Sequence, residues 1–283
     1  MPIRITECPR DAMQGVEPWI PTRNKVNYLN TLLTVGFDVL DFGSFVSPKA
    51  IPQLKDTEEV LDGLELDNTE TSLLSIIANK RGADTASKFP QIQLLGYPFS
   101  ISETFQKRNT NATIEESQKR VEEIATIATQ ANQEVLIYIS MAFGNPYGDH
   151  WDPDLAAKWI ERLSNNFGIK KFAMADTIGI SDENRIQDLF SLVQREFKGL
   201  EIGAHLHSKP NESDGKIKAA LKAGCTSFDV AINGLGGCPM AEDDLVGNIS
   251  TQQLLESVPK EDLPTLNVEH FQNAVSMANS VFP

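Results

Sequence analysis

The chain has 283 residues, 41% apolar and 23% charged, enough apolar surface to offset the entropy of ordering and to exclude disorder as the main state. Its 25 basic and 39 acidic side chains give a net charge of −14. A surface that acidic repels phosphate backbones and predicts no nucleic-acid partner, while leaving room for one local basic pocket that takes an anionic substrate.

The chain opens with Met1-Pro2-Ile3-Arg4-Ile5, which enters a strand pattern at once and shows no signal-peptide pattern. Strand-length apolar runs then recur at 3–7, 37–42, 73–78, 92–96, 134–142, 171–175, 201–205 and 226–232. Continuous apolar runs of this length fit strands buried on both faces. Helical patterns lie between them, at 23–35, 52–63, 115–132, 153–166, 182–197 and 214–223. In the third of these, Val121, Ile124, Ala125 and Ala128 form one apolar stripe, and Thr113 with Glu116 has the spacing of a capping box. Gly36 and Gly224 stand where a helix must end in a left-handed residue before the next strand.

Eight strands alternating with helices predict a parallel sheet closed into a (β/α)8 TIM barrel, one catalytic domain over residues 1–283 with an added C-terminal helix from 264 onward. A doubly wound open sheet is the alternative, but no Gly-x-Gly-x-x-Gly follows the first strand. The longest largely apolar run, 135–143, is too short to span a bilayer, so no membrane partner is expected. Cys8, Cys225 and Cys238 follow no zinc spacing, and a small odd number fits a reducing compartment. These features together predict a cytosolic protein.

The unusual polar residues fall at the C-terminal ends of the strands: Arg10 and Asp11 after the first, Asp41 in the second, Asn79 after the third, Ser140 in the fifth, Asp176 and Thr177 after the sixth, His205 and His207 at the seventh, and the glycine-rich run Gly234-Leu235-Gly236-Gly237-Cys238-Pro239 after the eighth. In a barrel these ends form one mouth, so residues distant in sequence converge.

Residues i and i+2 of a strand face the same side, so His205 and His207 can meet one cation; alone, the pair equally fits two ordinary histidines. Asp11 and Asn248 would add oxygen ligands. Imidazole and oxygen ligation without thiolate suits Mg²⁺ or Mn²⁺. Arg10 then serves as a fixed cation for a developing oxyanion. Asp41 and Asp176 read as partners of the ligands, proton carriers or helix N-caps. Cys238, on a loop of glycines, can deliver a proton, whereas Cys8 and Cys225 read as packing.

The segment Glu7-Cys8-Pro9-Arg10-Asp11-Ala12-Met13-Gln14 resembles the first-strand Arg-Asp-Gly-x-Gln motif of the DRE-TIM metallolyases. Ser44-Phe45-Val46-Ser47-Pro48-Lys49 with Pro52-Gln53, residues 109–116, Asp176-Thr177-Ile178-Gly179, and the glycine-rich loop followed by Gly247-Asn248 are similar to the hydroxymethylglutaryl-CoA lyases of that superfamily. The resemblance runs from about residue 3 to 255. It implies a divalent-cation-dependent barrel that cleaves 3-hydroxy-3-methylglutaryl-CoA, an acyl-CoA thioester, to acetyl-CoA and acetoacetate, and a homodimer. By position it implies Asp11, His205, His207 and Asn248 as ligands, Arg10 as stabiliser of the enolate, Asp41 in the place of a glutamate, Asp176 as support for cation binding, and Cys238 as the loop cysteine that moves protons.

The departures are Ser208-Lys209 where the family pattern continues Asp-Thr, Ala12 for Gly, Glu17 for a lysine, and the acidic run Glu242-Asp243-Asp244. The other readings are a related metallolyase acting on another 3-hydroxyacyl-CoA or a 2-oxo acid, and a non-catalytic metal-binding barrel. Lys49, Lys80, Arg81, Lys107 and Arg108 are the cations this layout offers to the phosphates of CoA.

Overall fold

A computed structural model describes residues 2–237 and 246–282. Its elements, in order, are β1 (Arg4–Glu7), α1 (Pro9–Gln14), α2 (Thr22–Leu33), β2 (Val39–Ser44), α3 (Thr57–Asp62), β3 (Ser72–Ile76), α4 (Lys80–Ala86), β4 (Ile92–Ser100), α5 (Glu103–Thr110), α6 (Ile114–Gln130), β5 (Glu134–Ser140), α7 (Pro153–Phe167), β6 (Lys171–Asp176), α8 (Glu183–Glu196), β7 (Glu201–Leu206), α9 (Ser213–Lys222), β8 (Ser227–Val230), α10 (Thr251–Ser257) and α11 (Val268–Val281). All eight strands are parallel and pair in sequence order, and β1 against β8 closes the barrel, with Arg4 to Glu7 in register with Ser227 to Val230.

Every expected strand is present. β4 runs on through Pro98 to Ser100, past the predicted end at Gly96, in register with β5. The helix expected at 52–63 is two pieces, a tight turn at Pro52–Leu54 and then α3. Lys25 packs under the break, donating to the Gln53 carbonyl and to Asp56 Oδ1. The Thr113–Glu116 capping box opens α6, and Gly36 and Gly224 take positive φ as expected. The C-terminal helix is α11, which lies on α2.

Alternation along each strand divides the apolar residues into two sets. Leu40, Leu73, Leu95, Ile137, Met174 and Ile202 face the helices and form the main core. Val39, Leu74, Ile76, Leu94, Tyr138 and Ala173 form a second, smaller cluster inside the barrel. At its N-terminal end the barrel is closed by charges, with Glu201 held by Arg4 (2.6 Å) and Lys171 (2.7 Å). The opposite end carries the polar residues singled out above.

Candidate active site

Helix α1 sets the first half of the site. Pro9 at its first turn starts the helix as soon as β1 ends, and Cys8 N–H is still bonded to the Val230 carbonyl of β8 (2.8 Å). The helix therefore begins at the mouth, and Arg10 and Gln14, four residues apart, share a face. Arg10 donates through Nε (2.9 Å) and Nη2 (2.6 Å) to Asp41 Oδ2, and through Nη1 to Asp11 Oδ1 (3.0 Å) and Gln14 Oε1 (2.9 Å). Gln14 Nε2 in turn donates to Asp11 Oδ1 (2.7 Å). Such a fork is held by both carboxylates and cannot swing.

Strand β7 sets the second half. The His205 and His207 rings lie 5.3 Å apart, and a bridge joins His207 to Asn248. Asn248 Nδ2 donates to Asp11 Oδ2 (2.7 Å) and to the Leu235 carbonyl (2.8 Å). Asp11, His205, His207 and Asn248 thus come together across 237 residues of sequence. His205 Nδ1 bonds Asp229 Oδ2 (3.1 Å), and the Tyr138 ring stands edge-on against the His205 imidazole at 5.3 Å. Cys8 Sγ, a ring nitrogen of His205 and an Asp229 oxygen lie within 4.8 Å of one another. The thiol is held far above its usual pKa by burial and by the charges of Asp229, Asp41 and Asp11, so Cys8 is a neutral packing group, as expected.

The protonation states follow from burial set against charge. Burial pushes the Asp11 carboxyl up, but Arg10, both imidazoles and Asn248 outweigh it and hold the pKa below the usual range. Burial, with His205 adding to it, takes His207 down to about 4, so its ring is neutral. Burial lowers His205 too, yet the bond and charge of Asp229 reverse the balance and the net shift is upward. Asp41 is raised to about 6 by burial, against the pull of Arg10.

His207 Nε2 and Asn248 Oδ1 are buried polar atoms with no hydrogen-bond partner among the described residues. Unsatisfied buried acceptors are costly, and two of them beside an ionised carboxylate form the set of lone pairs that a hard dication satisfies. The donor types present fit a divalent cation, although among the described residues it is Cys8, His205 and Asp229, and not Asp11 with the two imidazoles, whose ligand atoms all lie within 4.8 Å of one another.

A cavity of ≈ 120 Å³ opens over Asp11 and the two imidazoles, lined by Arg10, Asp11, His205, His207, Tyr138 and Ser140 among others, while Asn248 lies outside this lining. Asp41 lies under Arg10, outside the lining. Asp176 lies behind His207 and is saturated: Oδ1 accepts from Ile180 N (3.0 Å), and Oδ2 from Ser181 N (3.1 Å), Ser181 Oγ and Lys216 Nζ (3.1 Å). It caps no helix, since Asp182 caps α8. Asn79 caps α4. Of the expected CoA-binding cations, Lys49 and Arg81 line, with Lys55, a second cavity of ≈ 420 Å³ beside the end of β2. Lys80 and Lys107 are spent on Asp84 (2.7 Å) and Glu103 (3.1 Å), and Arg108 lies over the Tyr147 ring. Cys238 and the acidic run 242–244 lie outside the described residues.

Tyr138, Asp229 and Lys216 were not legible as site residues from the sequence, whereas Gln14 stands in the first-strand motif. A signal for Asp229 was present: it occupies an inward position of β8, two residues after Ser227, where alternation leaves no outlet to solvent.

A family model described as HMGL-like matches residues 3–272. The chain belongs to the HMGL-like family. It is 30% identical over 260 residues to a hydroxymethylglutaryl-CoA lyase of Bacillus subtilis, covering 91% of this chain and 85% of that protein. It is also 30% identical, over 254 residues, to the 3-hydroxy-3-isohexenylglutaryl-CoA/hydroxymethylglutaryl-CoA lyase of Pseudomonas aeruginosa (89% of this chain, 83% of that one). The solved HMG-CoA lyase of Acinetobacter baumannii, in complex with coenzyme A and 3-methylmalate, superposes with a TM-score of 0.90 at 28% identity, covering 99% of this chain and 91% of that one. Within the HMGL-like fold the mouth described above is the C-terminal end of the barrel, where barrel enzymes place their chemistry.

Proposed function

We propose that this HMGL-like chain is a divalent-cation-dependent carbon–carbon lyase that cleaves 3-hydroxy-3-methylglutaryl-CoA to acetyl-CoA and acetoacetate. The observation that carries the reading is the pair of unpartnered buried atoms, His207 Nε2 and Asn248 Oδ1, set beside ionised Asp11 and the clamped Arg10 at the mouth of the barrel. Asp11, His205, His207 and Asn248 would hold the cation, Mg²⁺ or Mn²⁺ by the character of the donors. When bound, it supplies Lewis-acid polarisation and lowers the pKa of a substrate hydroxyl.

The chain's own residues account for the remaining steps. A proton leaves the tertiary hydroxyl, the adjacent carbon–carbon bond breaks, and its electron pair passes into the thioester as an enolate. Of the two candidate acceptors for that proton, His205 lines the mouth with its ring oriented by Asp229, whereas Asp41 lies under Arg10 outside the lining, so the proton is assigned to His205 and Asp41 serves to hold Arg10. Arg10 holds a fixed positive charge at the lining, where it meets the enolate oxygen without reorganising. Cys238 is proposed to return a proton to the enolate carbon. The phosphates of CoA are assigned to Lys49, Lys55 and Arg81 around the second cavity, and the same reading includes a cytosolic homodimer.

The test is acetoacetate release from 3-hydroxy-3-methylglutaryl-CoA with added Mg²⁺ or Mn²⁺. Release that chelation abolishes is the expected result, and no release with either ion overturns the proposal. One observation favours a second reading, the same cleavage on a bulkier 3-hydroxy-3-alkylglutaryl thioester. Ile76, Pro98, Phe105 and Tyr138 form an apolar wall in the mouth, and the Pseudomonas relative is named for an isohexenyl substrate. A higher kcat/KM for the isohexenyl thioester would select that reading.

A further inference from the structure

Lys216 is a lysine in the wrong place for a surface helix. It lies in the second turn of α9 and is only 2% exposed. A charged amine is buried only when its donors are taken up, and an ammonium has three. All three are: Nζ reaches Asp176 Oδ2 (3.1 Å), the Gly179 carbonyl (3.2 Å) and the His207 carbonyl (3.0 Å).

The last of these bonds matters most. The peptide group that follows His207 has two polar atoms. Its carbonyl accepts from Lys216, and its N–H, that of Ser208, donates to the Gly247 carbonyl (2.9 Å). The plane is therefore pinned from both sides, by α9 and by the segment that carries Asn248. The turn after β6 is drawn to the same point. Gly179 has φ +69, and a Cβ there would come 2.8 Å from Val246 Cγ1 and 3.3 Å from the His207 carbonyl oxygen, so glycine suits both the turn and the crowding around it.

We propose that Lys216 is a positioning residue for the cation site: its ammonium is the post that fixes the main chain of His207 against the Asp176 turn, and through it the unpartnered imidazole nitrogen. This rests on the reading of Asp11, His205, His207 and Asn248 as the cation's ligands. It also gives Asp176 a role, since a carboxylate already saturated by four donors acts by holding Lys216. In Lys216→Met the apolar stem is kept. Asp176 retains its three donors from Ile180 and Ser181, while the buried His207 carbonyl and the part-buried Gly179 carbonyl lose the ammonium.

The experiment measures Mn²⁺ binding to the full chain without substrate, by the free-ion electron paramagnetic resonance signal and by calorimetry. Groups that orient metal ligands change affinity by about 10–100-fold when removed, and a loss of that size is expected for Lys216→Met. Lys25→Met is the control for a merely structural role. Lys25 is equally buried and is paired with Asp56 at 2.7 Å, but it lines no part of the mouth. It should lose stability and keep wild-type Mn²⁺ affinity. Should Lys216→Met fail to fold, Asp176→Asn weakens the same post, and a loss of about tenfold is expected there. Wild-type affinity in a folded Lys216→Met, or in Asp176→Asn where that is the variant read, overturns the inference. A wild-type protein that binds no Mn²⁺ removes the ligand reading and this inference with it. Mn²⁺ binding without acetoacetate release would instead tell against the lyase reading alone.

Discussion

Glu7 shows how far burial alone can move an acid in this fold. It is fully buried next to the site and lies between two segments, accepting from Ile232 N (2.7 Å) and Thr251 Oγ1 (2.6 Å). Burial raises its pKa to about 8 despite both bonds. At neutral pH Glu7 is therefore protonated in the fold and ionised in the unfolded chain. Its contribution to stability falls as the pH rises from about 4.5 to about 8 and is constant outside that window. Glu7→Gln keeps the shape without the titration and should flatten that part of the stability curve, as followed by chemical denaturation at several pH values. An unaltered slope would show that Glu7 is ionised in the native protein. Asp41 moves in the same direction for the same reason. Ionised Asp41 is the carboxylate that clamps Arg10, so kcat/KM should rise with pH through about 6. Asp41→Asn should lower kcat, by less than the roughly hundredfold of a lost general base, and abolish that limb. A full rate in Asp41→Asn would show that Arg10 keeps its place without this carboxylate.

Turns and short helices decide where the side chains sit, and they were the part least legible in the sequence. The strands announced themselves because residues buried on both faces leave unbroken apolar runs, and the long helices because 12 to 17 residues display a period. Helices α1, α4 and α5 have 6, 7 and 8 residues, too few to show one, and their sequences are polar because they line the mouth or its rim. For the same reason nothing in the sequence marked Lys216: the pattern of α9 does not reveal that a long lysine reaches back toward the sheet. By contrast Arg10, Asp11, His205 and His207 were legible, since a charged or imidazole side chain at the end of a buried strand has few places to go but the mouth. The loop after β8 offers a test at this scale. Gly236 has φ +100, and a Cβ there would lie 2.6 Å from both Asn248 Nδ2 and Asp11 Oδ2. Gly236→Ala should therefore separate this pair and reduce Mn²⁺ affinity by at least about tenfold, with an unchanged far-ultraviolet spectrum. Wild-type affinity would mean that the loop adjusts freely.

The whole molecule is a cylinder whose first strand is joined to its last, with α11 laid across α2. Phe282 meets Tyr28 edge-on at 5.6 Å and Phe271 meets Phe37 at 6.4 Å, and none of the four rings lines the mouth cavity. Phe282→Ala should cost about 3 kcal/mol in denaturant titrations and leave cation affinity unchanged. Closure of the cylinder has a further consequence, for the order of events during synthesis. Asp11 leaves the ribosome early and Asn248 late, and β1, paired with β2 on one edge, has its other edge open until β8 is made. Contacts between such distant stretches are slow to form. A nascent or truncated chain can carry most of the helices and still have no catalytic centre, so turnover should return last during refolding, after helicity and tyrosine burial.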